Sequence, residues 1–294
     1  MTQFKRVMAG LDFSSLDSVM LKYLGTLHES FPIETLYALH ILPSFSAPRI
    51  PEGDFVSRFI QDQPLDEVLT DKLKKEITAI FGENPPFLVR PEVIEGKPSE
   101  NIIHRAEVKK ADLLVLGRKT ISEGSGIVAK RVARQATCPV LFVTENAKAP
   151  QKIIVPIDYS EFAARALLTA LDRQILFPET EIHALHIVEF PPNDYYMLPY
   201  KEAGFRKILE DSAKEAYEKF ISDYHIPKEK IKAVYRENIS QNPAKHIVEY
   251  AKEINTDLIL TGARGHSVFR NMLFGSVTEA LIEHNHEFPL LIVR

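Results

Sequence analysis

The chain has 294 residues, 45% of them hydrophobic and 26% charged, with a formal net charge of -4 and a pI near 6.2. That composition fits a globular protein of about two domains, and the mildly acidic balance excludes a general nucleic-acid surface, which needs a basic surplus. A single cysteine, Cys138, excludes an intrachain disulfide and a cysteine-based metal cluster.

In chain order, the first apolar run ends at Asp12. It is too short for a signal-peptide core, and no later stretch approaches a membrane span. The expected setting is cytoplasmic and reduced, with no membrane partner. Runs rich in Val, Ile and Leu then predict strands near 5–11, 35–42, 87–93, 112–116 and 139–143. Segments of helical spacing lie between them. Ser14 with Asp17 resembles a capping box opening the first helix. A polar stretch from Thr144 to Gln151, carrying Pro150, separates a domain over 1–146 from one over 151–294.

The second half repeats the first. Strands are expected near 152–157, 181–188, 230–236, 257–261 and 289–293, and Ser160 is placed to cap the helix after the first of them. Asp12 answers to Asp158 and His40 to His186, at one separation (158−12 and 186−40, both 146). Ala111–Gly117 answers to Thr256–Gly262, and Pro139–Val143 to Pro289–Val293. Strand–helix alternation with short turns predicts two tandem α/β domains, each a doubly wound parallel sheet of five strands.

In such sheets ligands bind beyond the carboxyl ends of the strands, where strand order reverses. Asp12, Asp158, Gly117 and Gly262 all fall at that edge. After Gly262 the second half reads Ala263-Arg264-Gly265, then nine residues, then Gly275-Ser276-Val277-Thr278. Glycines let an anion approach the backbone amides. A helix opening at Ser276 offers its free N-terminal amides to phosphate. Ser276 and Thr278 add hydroxyls, and Arg264 adds a cation.

These residues resemble the universal stress protein family, whose ATP-binding members carry the loop G-x2-G-x9-G-[ST]. Gly262, Gly265, Gly275 and Ser276 match it at every position, and both halves share the wider pattern. For Asp158 and Ile187 the resemblance implies contact with the adenine end of ATP. For Gly262, Gly265, Gly275, Ser276, Val277 and Thr278 it implies ribose and phosphate contacts; Arg264 joins them as the cation named above, and Pro156 and Thr261, at the strand ends, complete the candidate set. It also implies an adenine nucleotide α-hydrolase-like fold, Mg²⁺ with the phosphates, pairing of the halves through residues 139–143 and 289–293 as an internal pseudo-dimer, and a homodimer of chains.

The first half departs from this pattern. Aligning Gly126 with Ser276 makes its loop five residues shorter, and Thr120 stands where Gly265 stands; sliding by one restores a Gly124-Ser125 pair. A shorter loop does not wrap a triphosphate in the same way.

Other candidates read as structural. His183 and His186, three apart on a strand, face opposite sides and cannot share an ion. His284 and His286 lie where a helix ends, Cys138 reads as a small core residue, and Asp194-Tyr195-Tyr196-Met197 reads as a partly exposed loop packing on its neighbouring helix, the alternative being that it covers a bound base. No Walker loop, nucleophile elbow or acid–base pair stands out. The expected function is nucleotide-responsive binding in the second half; the rival is an enzyme performing slow ATP hydrolysis or nucleotidyl or phosphoryl transfer at the same loop.

Overall fold

A computed structural model describes residues 4–42, 64–119, 125–189, 203–238, 240–265 and 274–294. Thr120, Gly124 and the Asp194–Met197 segment named above lie outside them. The chain divides into two compact units between Glu145 and Asn146.

The first unit holds β1 (Arg6–Leu11), α1 (Ser15–Ser30), β2 (Thr35–Leu42), α2 (Leu65–Phe81), β3 (Leu88–Glu95), α3 (Pro98–Val108), β4 (Leu113–Gly117), α4 (Ser125–Gln135) and β5 (Val140–Val143). Its strands are parallel in the order β3-β2-β1-β4-β5. The second unit holds β6 (Lys152–Pro156), α5 (Glu161–Leu176), β7 (Glu181–Val188), α6 (Ala203–Asp223), β8 (Lys232–Glu237), α7 (Pro243–Ile254), β9 (Leu258–Gly262), α8 (Ser276–His284) and β10 (Leu290–Val293). Its parallel order, β8-β7-β6-β9-β10, is the same. Both are doubly wound, with the order reversing between β1 and β4 and between β6 and β9.

Central strands such as Leu113–Leu116 and Leu258–Thr261 are buried on both faces, which is why they read as continuous apolar runs. Each buried Val, Leu or Ile there contributes roughly 1.5–3 kcal/mol. The outer strands β3 and β8 are only half-buried and mix charged with apolar residues. β8 begins two residues later than its expected start because Lys228–Lys230 forms a 3₁₀ turn.

The repeat extends to individual hydrogen bonds. At the amino edge, Asp112 accepts from the backbone N–H of Arg6 at 2.9 Å, and Asp257 accepts from that of Lys152 at 2.9 Å. At the carboxyl edge, Nδ1 of His40 bonds the Leu11 carbonyl at 2.8 Å and Nδ1 of His186 bonds the Ile157 carbonyl at 3.0 Å. Each pair ties a strand to the element beside it in the same way.

Helix entry differs between the repeats. Ser160 caps α5, its hydroxyl accepting from the Ala163 N–H at 3.2 Å. Ser14 makes no side-chain cap bond to α1. Asp17 instead reaches back past it, accepting from the backbone N–H groups of Asp12 at 3.0 Å and Phe13 at 2.7 Å. The expected capping box is therefore not made: the Ser14 N–H donates to Asp12 Oδ1, and the acid of the box serves the preceding turn.

Candidate functional site

The second unit's candidate site lies at the strand-order reversal, where β6 and β9 end side by side. β6 runs out at the half-buried Pro156, and the chain turns through Ile157, Asp158 and Tyr159 into α5. Tyr159 has a positive φ of 65°, as its counterpart Phe13 does at 61°. A non-glycine residue holds that conformation only where the surroundings enforce it. Here Asp158 Oδ1 accepts the Ser160 N–H at 3.1 Å, while the Tyr159 ring stacks on His186 at 4.5 Å and its hydroxyl donates to the Ala213 carbonyl at 2.9 Å. Burial pushes the Tyr159 hydroxyl above its usual range and pushes the His186 imidazole below its own.

Asp158 is thus both a turn residue and an edge residue. One oxygen fixes the turn, and the other faces Gly265 across the edge: a Cβ on Gly265 would overlap Oδ2. A side chain at Gly265 would require the Asp158 carboxylate to move, so glycine lets the backbone lie this close to it.

Gly262 has a different reason to be glycine. A Cβ there would come within 2.6 Å of Phe162 Cβ and within 2.8–2.9 Å of its backbone, so Gly262 admits the first turn of α5 against β9. Its counterpart Gly117 meets Leu16 of α1 at 2.7 Å. The first motif glycine therefore has a packing duty in both repeats.

From Ala263 the chain leaves the sheet and returns at Gly275, whose N–H donates to the Ala263 carbonyl at 2.9 Å. Most of the nine-residue stretch between Gly265 and Gly275 lies outside the described residues. Gly275 is the N-cap of α8 and supplies no capping side chain, so the first-turn amides from Ser276 onward are met by no side chain of the cap residue. Ser276 is exposed and Val277 half-buried at this entry. Arg264 is exposed, its guanidinium carbon 5.8 Å from the centre of the Phe162 ring.

One expectation is corrected. The Thr278 hydroxyl is not turned toward the loop: the residue is 3% exposed and its Oγ1 donates to the Gly262 carbonyl at 2.8 Å. Thr261, also buried, has its hydroxyl 3.5 Å from that of Thr278. These two side chains hold α8 to the end of β9. Ile187 is half-buried on β7 beside His186.

The histidines behave as the strand period requires. His183 Nδ1 lies 2.7 Å from the Tyr250 hydroxyl on one face, and His186 stacks on Tyr159 on the other. Among the described residues no cluster of three or more His, Cys, Asp or Glu side chains is placed to hold a metal. No described helix is long and apolar enough to cross a membrane. Cys138 is buried.

The first unit shows how the same edge looks without the motif. Asp12 Oδ1 again accepts the N–H of the following serine, Ser14, at 3.1 Å, but Oδ2 pairs with Lys119 Nζ at 2.9 Å. Strand register pairs Gly117 with Val143 and Gly262 with Val293, and Gly126 and Ser276 stand equally far from those strand ends (143−126 and 293−276, both 17). Nine positions (126−117) then span what fourteen (276−262) span in the second unit, so the first loop is shorter by five residues. Sequence reasoning passed over Lys119, Phe13 and Tyr159; the repeated position of an aromatic after each aspartate was the available signal.

Comparison with known proteins fits this architecture. The universal stress protein family model matches residues 3–144 and 150–294. A universal stress protein of Methanocaldococcus jannaschii is 29% identical over 144 residues, covering 49% of this chain and 82% of that protein. A universal stress protein of Mycobacterium tuberculosis is 25% identical over 239 residues, covering 76% of this chain and 74% of that protein. The crystal structure of a universal stress protein from Archaeoglobus fulgidus superposes with a TM-score of 0.66 at 19% identity, covering 100% of this chain and 98% of that one, which shows a shared fold. With the family model matched across both halves, the chain belongs to the universal stress protein family.

Proposed function

We propose that the second unit binds an adenine nucleotide, ATP, at the edge where β6 and β9 part, and that occupancy alters how the protein associates with partners. The observation that carries this reading is the pairing of Asp158 with Gly265 beside an α8 N-terminus whose cap residue has no side chain. A carboxylate at one end suits the amino group of a base. Amides at a glycine-capped helix start, with the helix dipole behind them, suit phosphate oxygens. Arg264, exposed at the same edge, adds a cation for those oxygens. In this assignment Pro156, Asp158 and Ile187 meet the base side, and Thr261, Gly262, Gly265, Gly275, Ser276, Val277 and the Thr278 backbone line the ribose–phosphate side. Mg²⁺ would travel with the phosphates.

Equilibrium dialysis of the intact chain against millimolar ATP tests the reading, together with analysis of nucleotide released from natively purified protein. Among the described residues a Cβ at Gly275 would meet its neighbours at ordinary distances of 3.5–3.6 Å, so a side chain there is not excluded by the packing. Gly275→Val places a branched side chain at the helix entry and is expected to weaken ATP binding at least about tenfold, or 1.4 kcal/mol. No ATP bound by the parent chain, or equal binding by both, defeats the proposal. The reading includes the pairing through residues 139–143 and 289–293 that the resemblance implies, and a homodimer of chains, for which sedimentation with and without ATP is the measurement.

A further inference from the structure

We propose that the first unit carries a second binding site of different chemistry, one for a small apolar zwitterion: an apolar α-amino acid. The inference goes beyond nucleotide binding and does not rest on it, since every residue it uses lies in the other unit.

A cavity of about 310 Å³ opens at the carboxyl edge of β1, β2 and β4. That volume is at the small end of the range for ligand pockets. Its apolar lining comes from Leu11, Leu39, Ile41 and Leu116 on the strands and from Ile102 and Val128 on helices α3 and α4. An apolar side chain of leucine or phenylalanine size fits such a hollow and is drawn into it by the area it removes from water.

Three charged side chains line the same cavity, Asp12, Asp17 and Lys119; the Asp17 carboxylate is engaged by the N–H groups of Asp12 and Phe13, and Asp12 and Lys119 form an opposite pair. Lys119 Nζ stands 2.9 Å from Asp12 Oδ2, and the side chains are 35% and 61% exposed. Because water screens a pair this exposed, its partners exchange readily for other ions. A zwitterionic head group offers each partner its complement, ammonium to Asp12 and carboxylate to Lys119, without leaving either charge unbalanced. A polyphosphate does not: it brings several negative charges against one lysine and two aspartates, and the loop that would wrap it is five residues shorter than its counterpart. The Ser14 hydroxyl lines the cavity beside the Asp12 carboxylate, which, against the opposing effect of burial, it helps to hold below the usual carboxylate range, and is a third polar group for the ligand's carboxylate.

The test is isothermal titration of the intact chain with L-leucine, with 3-methylbutylamine and 4-methylpentanoate (leucine lacking its carboxylate or its ammonium), and with adenosine. Leucine is expected to saturate one site per chain, with each truncated analogue at least about tenfold weaker. Asp12→Asn and Lys119→Met should each cost leucine a similar factor; the asparagine keeps an oxygen for the Ser14 N–H, so the turn survives. Absence of leucine binding overturns the proposal, as does leucine binding that neither substitution changes. Adenosine binding that depends on Asp12, in place of leucine, assigns the cavity to a nucleoside and overturns it equally. None of these outcomes depends on Gly275, so the nucleotide proposal stands or falls separately.

Discussion

Thr278 Oγ1 donates to the Gly262 carbonyl at 2.8 Å, joining the first turn of α8 to the last residue of β9 inside the protein. Replacing Thr278 with valine keeps the shape but removes the shorter of two hydroxyl donors to that buried carbonyl, leaving the Thr261 hydroxyl at 3.4 Å. The expected loss is about 1–3 kcal/mol, read from urea unfolding, with Thr278→Ser retaining most of the stability. A valine variant as stable as the parent would show that the bond holds nothing in place.

The two helix entries give a paired measurement. Ser160→Ala removes a made cap bond and should cost about 1 kcal/mol. Ser14→Ala removes a hydroxyl that caps nothing and is expected to change stability by no more than about 0.5 kcal/mol. Equal losses in thermal or urea melts would mean that the two serines have the same role.

Asp17 gives the first unit a pH dependence. Burial pushes its carboxyl up to about 6 from an ordinary 3.8; the N–H donated by Asp12 opposes the rise, and the Asp12 charge adds to it. The folded state therefore holds this proton where the unfolded state has released it. Stability from this group is full below about pH 4 and falls as pH climbs through about 6, by roughly 2–3 kcal/mol at most. Asp17→Asn cannot ionise and still offers an oxygen to the Asp12 and Phe13 N–H groups. Its stability relative to the parent should rise between pH 4 and pH 7. A difference that stays flat over that interval contradicts the assignment.

The fold was largely readable because the buried strands carry their burial in composition. Runs such as Leu113–Leu116 and Leu258–Leu260 have no polar side that would suit another element, and their recurrence fixed the order of the repeat. The outer strands were located less sharply, since β3 and β8 face solvent in part and mix charge into the pattern. At the site, the glycines were legible as positions but not as duties. That Gly265 lies on a carboxylate while Gly262 lies on a helix depends on approaches between segments about a hundred residues apart. The capping box failed for a similar reason: spacing alone does not say which amide Asp17 will choose. Thr278 looked like a ligand hydroxyl because nothing local reveals a carbonyl sixteen residues back.

The contact between the glycine ending each fourth strand and the helix after each first strand bears on what a shared motif position means. A side chain at Gly117 would have to displace Leu16 whatever the first unit binds, so the position serves the packing of α1 on β4 independently of any ligand. Such a glycine marks geometry rather than chemistry. Scanning for it finds the architecture in either copy, while the distance to the next helix start separates a copy with the full loop from one without it.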